Sequence, residues 1–289
     1  MTTPTEFHFW DRLTPEMKMV CVKHMDFFEK LHFRASSNTE KTLVESQRFD
    51  VKQISITDIN YGIILEVNIN GEDKCKIMAE DDNVKETQLI PFLAYLLKCG
   101  NIEELFSKET EEFTEEIIDK LDESGPFRIK KLIIPKLNRQ REMFLRRCTP
   151  EFLKSAEFKA PRDGWDSLEP IISMESLSKV EVLDVSRTSE LTAKIAKMWI
   201  ERNEDIGRKL EMVLRNPRND FGHFKETFEE RIVKNEDNEV RITTDNEHKH
   251  ILLRVFQPRE NLQMFVIPAK MVKGSAAYKQ FFEDIVFDL

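Results

Sequence analysis

The sequence predicts a mixed α/β chain in four successive parts. These are a unit of three short helices, a small β-meander, an irregular repeat of strand and helix, and a C-terminal helix with antiparallel strands. Three observations carry this. Helix-capping signals follow one another at Thr14, Asp26 and Ser37, Asn70-Gly71 marks a hairpin turn, and an LxxLxL pattern returns every 24–27 residues between 102 and 212. The expected boundaries are 8–48 for the helices and 49–289 for a second domain, divided into 49–86 (meander), 87–215 (repeats) and 216–289 (a cap).

In the first part, Thr14, Pro15 and Glu16 read as N-cap, first-turn proline and early acid, so the first helix starts at Pro15. At 100° per residue, Met17, Val20, Cys21 and His24 share one face, read as internal, with Met25 at its edge. Met19 and Val22 point to the other side. A helix apolar on two sides has its own domain on one side and room for a partner protein on the other; the alternative is an ordinary helical start to a larger domain. Asp26 with Glu29, and Ser37 with Glu40, open two more helices near 27–35 and 38–47.

Val51 to Thr57, Tyr61 to Asn68 and Lys74 to Ala79 then read as strands, the last two joined at Asn70-Gly71. Glu80 to Asn83 reads as a solvated loop.

The repeat aligns Leu105, Leu132, Ala156, Leu183 and Leu210, at steps of 27, 24, 27 and 27 residues. These steps fall in the period of leucine-rich repeats. Helical stripes lie between the strands: Ile117, Ile118 and Leu121; Met143, Phe144 and Leu145; Leu168, Ile171 and Ile172; Leu191, Ile195, Met198 and Trp199. Strand–helix units in this order make a parallel sheet with helices on one face, stacked as a short solenoid. Ser107, Ala156 and Gly207 depart from the pattern, and a plain α/β domain is the alternative. After it, Phe221, Phe224, Phe228 and Ile232 stripe a helix, three antiparallel strands follow at 240–243, 251–256 and 262–267, and a last helix runs from Tyr278 to Phe287.

Composition narrows the function. The chain has 289 residues, 40% hydrophobic and 34% charged, with a net charge of −9. That balance lacks the basic footprint of general nucleic-acid binding. The four cysteines are scattered and form no CxxC, which fits reduced thiols in the cytoplasm or nucleus. Met1 to His8 lack the regions of a signal peptide, and the longest apolar stretch, Leu89 to Leu97, is too short to span a bilayer.

The sequence carries no Walker loop, GxGxxG, GxSxG or HExxH, so no catalytic residue, metal site or cofactor is expected. His248-x-His250 on a strand would face one side, as metal ligands do, but with no cysteine nearby it reads as a solvated turn. The x positions of the repeat strands form a mixed charged and apolar row suited to a protein ligand. Phe106, Lys130, Lys131, Ile133, Val182 and Asp184 are its candidate binding residues, and the C-terminal strands with Arg241, His248 and Arg254 are the rival site.

Leu13-Thr-Pro-Glu16 with its helix, and Arg34 to Ser46, resemble an F-box, most closely that of nematode F-box proteins. The usual motif has Leu-Pro with Glu two places on; here Thr14 takes the proline position and Pro15 follows. Ile195 to Glu201 and Arg241 to Leu253 resemble the region C-terminal to the F-box in the F-box C group of that family. The resemblance implies a substrate receptor of a cullin-based ubiquitin ligase. The F-box would dock a Skp-type adaptor, and through it a cullin scaffold, while the later domain binds a protein target. Leu13, Pro15, Glu16, Met19, Val20, Val22 and Met25 are the expected adaptor contacts. A repeat-type interaction module outside a ligase is the second reading.

Overall fold

The structure, a computed structural model, describes residues 9–59, 62–69, 71, 74–108, 115–135, 139–159, 165–186, 190–256 and 261–283. By packing, the chain falls into two compact units, 1–105 with 110–128, and 106–109 with 129–289. The three helices and the meander lie in the same unit.

In the first unit the capping signals act locally. Thr14 Oγ1 accepts from Met17 N at 3.4 Å and opens α1 (Pro15–His24). Asp26 and Glu29 exchange 2.8 Å bonds in a reciprocal capping box that opens α2 (Phe27–Ser36). Ser37 caps α3 (Asn38–Glu45) through Glu40 N. The meander is β1 (Phe49–Ile59), β2 (Gly62–Asn68) and β3 (Lys74–Ala79), antiparallel throughout. Gly71 turns the second hairpin at φ +93°, a conformation costly for any side chain.

Of Glu80 to Asn83, read as a solvated loop, Glu80 and Asp81 lie outside regular structure and Asp82 and Asn83 are helical, all four exposed. The Asp81 carboxylate accepts from Val84 N at 2.8 Å and caps α4 (Asp82–Val84), which continues through a π turn (Lys85–Leu89) into α5 (Ile90–Cys99). Pro91 is the second residue of α5, directly after the π turn. Gly100 follows because a Cβ there would meet the Leu96 carbonyl at 2.6 Å. Then come β4 (Gly100–Ser107), beside β1 in the sheet, and α6 (Glu115–Asp122).

The helices are fastened to this sheet. Phe27 packs on Phe49 and Phe92, at centroid distances of 5.2 and 6.3 Å. Arg34 lies 4.6 Å over the Tyr95 ring, and the Glu45 carboxylate takes Arg34 at 2.7 Å and Lys98 at 2.9 Å. Burial pushes that carboxyl up, but the two cations outweigh it and hold it below its ordinary value.

The second unit alternates β5 (Arg128–Ile134), α7 (Arg139–Arg147), β6 (Ser155–Lys159), α8 (Trp165–Ile172), β7 (Val182–Ser186), α9 (Leu191–Glu201) and β8 (Lys209–Val213). The strands pair parallel, each with the next. Leu132, Ala156 and Leu183 stand opposite one another, all buried, as the repeat predicts. The register then slips by two: Leu183 faces Met212, while Leu210 faces Met264 across an antiparallel pair. Gly207, aligned with the first position of the repeat, is a turn residue at φ +95°, and β8 from Lys209 lies between parallel β7 and antiparallel β12.

The C-terminal part continues this sheet. After α10 (Pro217–Thr227), the strands β9 (Ile232–Glu236), β10 (Glu239–Thr243), β11 (Lys249–Phe256) and β12 (Asn261–Pro268) give the order β5-β6-β7-β8-β12-β11-β10-β9. The helical stripe ends at Phe228; Ile232, read as helical, instead opens β9. A final helix, α11 (Ala276–Glu283), lays Phe281 and Phe282 on Leu252, Phe265 and Ile267. The expected last residues of this helix, to Phe287, lie outside the described residues. No helix among the described residues is long and apolar enough to cross a membrane.

Candidate protein-docking surfaces

The first surface lies on α1 and α3. Its orientation reverses the sequence reading. Val22, expected outside, is fully buried, and Met19 is half-buried with its carbonyl accepting from Gln47 Nε2 at 2.9 Å. Met17 and Val20, expected inside, are 53% and 57% exposed, and Cys21 and His24 beside them are exposed too. Val22 is the buried residue of α1, with Lys18 and Met19 half-buried beside it, and the other stripe is left to solvent.

Of the expected contact residues, Glu16 and Val20 stand exposed, Leu13 and Met25 are half-buried, and Pro15 is exposed at the helix start. Val22 is a core residue and reaches no partner surface. Leu13 and Pro15 line one side of a groove of about 620 Å³; Asn38, Thr39, Thr42 and Leu43 line the other. Trp10 braces the entry: its Nε1 donates to Glu40 at 2.9 Å and its ring meets Phe33 edge-on at 4.9 Å. Glu16 is held below its usual carboxyl value by its own backbone N–H and by the Thr14 hydroxyl.

The second surface is the sheet face of the second unit. The register runs one row from Lys131 through Ser155, Val182, Glu211, Gln263 and Arg254 to Glu239. The next row holds Ile133, Glu157, Asp184 and Val213. Lys131, Ile133, Val182 and Asp184 therefore share this face, as expected. Lys130 is exposed between buried Ile129 and Leu132, so β5 keeps the LxxLxL burial pattern, although the pairing rows above do not include it. Phe106, half-buried, lies on β4.

Several polar residues of the first row were not legible as a group. Glu211 is 2% exposed, and its carboxylate accepts from Asn261 Nδ2 at 2.7 Å and Gln263 Nε2 at 2.9 Å. Arg254 donates to Gln263 Oε1 at 2.9 Å and lies near both the Phe265 and Phe282 rings, 5.1 and 4.3 Å away. Burial lowers its pKa. The Tyr278 hydroxyl on α11 donates to Glu239 at 3.0 Å, where Lys273 also pairs at 3.2 Å. The one available signal was Asn261-x-Gln263 within an otherwise apolar strand.

The rival C-terminal residues do structural work. Arg241 donates to the Pro268 carbonyl at 2.9 Å and to His250 Nδ1 at 2.8 Å, which ties down the segment before α11. His248 lies in an exposed turn outside the strand, so the two histidines do not share a strand face. No group of three potential ligands holds a metal geometry among the described residues. Compared with known proteins, the sequence matches no family model and no curated protein.

Proposed function

We propose that the chain is a substrate receptor of a cullin-based ubiquitin ligase, belonging to the nematode F-box proteins and built on leucine-rich-repeat-like units. In this reading α1 to α3 dock a Skp-type adaptor, and the sheet face of the second unit holds a protein target. One observation carries it: α1 leaves the stripe Met17, Val20, Cys21 and His24 in solvent beside the groove at Leu13 and Pro15. An exposed apolar stripe on a small capped helical unit is the feature expected of a docking site. The adaptor contacts are then Leu13, Pro15, Glu16 and Val20 together with Met17, not Val22.

The receptor's work is positional. Holding a target's lysines near a ubiquitin-loaded enzyme raises their effective concentration, and that needs no nucleophile in this chain. The test is adaptor binding by Val20→Asp. A charge placed in an apolar contact should weaken it by several kcal/mol, while Val20, being exposed, is free to change without unfolding α1. Absence of binding by the native chain would favour an interaction module outside a ligase.

A further inference from the structure

Every other acid on the sheet face of the second unit has a partner. Glu211 has two amides, Glu239 has Tyr278 and Lys273, and Glu181 has Lys209 at 2.8 Å and Lys154 at 3.3 Å. Glu157 and Asp184 are the exception. They stand directly opposite one another on adjacent parallel strands. Neither has an ion pair or hydrogen bond among the described residues. Like charges so placed destabilise a sheet. Burial and Glu157 together raise the Asp184 carboxyl above its ordinary value. Their neighbours in the row are apolar, Ile133 on one side and Val213 on the other.

The same face already seats a helix. Register puts Phe265 and Leu252 on the face of Gln263 and Arg254, and α11 rests there by an aromatic stripe. Phe265 pairs with Lys209, four residues along β8 from the Val213 that stands opposite Asp184, so α11 and the acid pair occupy different parts of this face.

We propose that the target of this surface is an amphipathic helix bearing lysine or arginine. It would lie on the part of this face that α11 leaves open, its apolar stripe on Ile133, Val182 and Val213 and its cations against Glu157 and Asp184. The proposal rests on the reading of this face as the target site and supplies the chemistry of the target. The unpartnered acid pair is then a feature that lowers the stability of the free protein and is neutralised on binding.

The probe is a fluorescent 18-residue helical peptide with one leucine stripe flanked by lysines, titrated by anisotropy against the full chain. Its counterpart has every lysine replaced by glutamate. Glu157→Gln with Asp184→Asn should weaken the lysine peptide about tenfold, as expected for two modest ion pairs, and should raise the Tm of the free chain. Glu229→Gln with Glu230→Gln, exposed acids elsewhere, should leave the affinity unchanged. Equal weakening by both double variants, equal binding of the two peptides, or a lowered Tm for the Glu157/Asp184 variant would overturn the proposal. Adaptor binding by the same variants reports on the ligase reading alone. Its absence in the native chain would sink that reading and leave the peptide result standing.

Discussion

Gln263→Leu should destabilise the second unit by about 2 kcal/mol. Gln263 is 2% exposed and makes two bonds, donating to Glu211 and accepting from Arg254, both at 2.9 Å. Leucine is close in volume, so no large cavity opens. What changes is that a buried carboxylate loses one of its two donors. An unsatisfied buried polar group costs roughly 1–3 kcal/mol, with charged groups at the upper end. Burying the apolar leucine side chain offsets about 1 kcal/mol. The net, about 2 kcal/mol, corresponds to a fall in Tm of about 4–8 °C for a unit of this size. The assay is thermal unfolding, with hydrogen exchange of the β12 amides to assign the loss to this sheet. Adding Glu211→Gln should restore part of the stability, because the buried charge is then gone. A Gln263→Leu protein as stable as the native chain would refute the view that Glu211 is a buried, amide-satisfied carboxylate.

Two further outcomes follow from single groups. Burial and the neighbouring Arg241 depress the His250 pKa below 6.5, so the folded state holds it neutral. Its contribution to stability is therefore complete above about pH 6.5 and lost as pH falls through the depressed value; His250→Gln should flatten that part of the stability–pH curve measured by urea unfolding. Cys21 is exposed on the α1 stripe, whereas burial pushes Cys99 up to about 11 and raises Cys148 as well. Iodoacetamide should label Cys21 first and Cys99 and Cys148 only on unfolding, and saturating adaptor should slow Cys21 labelling severalfold.

Local signals were legible and non-local choices were not. Thr14, Asp26 and Ser37 cap their own helices, so the starts of α1 to α3 could be read within four residues. The strand positions of Leu132, Ala156 and Leu183 followed from one period. The facing of α1 could not be read, because Val22 and Val20 are equally apolar and only tertiary packing chooses between them. The same period held at Lys130 and Lys131: β5 buries Ile129, Leu132 and Ile134, with Lys130 exposed and Lys131 half-buried between the first two. The slip at Leu210 depends on β12 arriving from more than fifty residues away to pair with it. The acid pair at Glu157 and Asp184 needs the strand register, which no spacing alone supplies.

The most direct test of the account is the affinity of a Skp-type adaptor for the full chain, measured by calorimetry with the native protein, Val20→Asp and Met19→Asp. The account predicts that the native chain binds and that Val20→Asp, on the outward stripe, loses at least about tenfold with no change in Tm. It also predicts that Met19→Asp, on the inward side, lowers Tm. No binding by the native chain, or equal binding by native and Val20→Asp proteins, would contradict it.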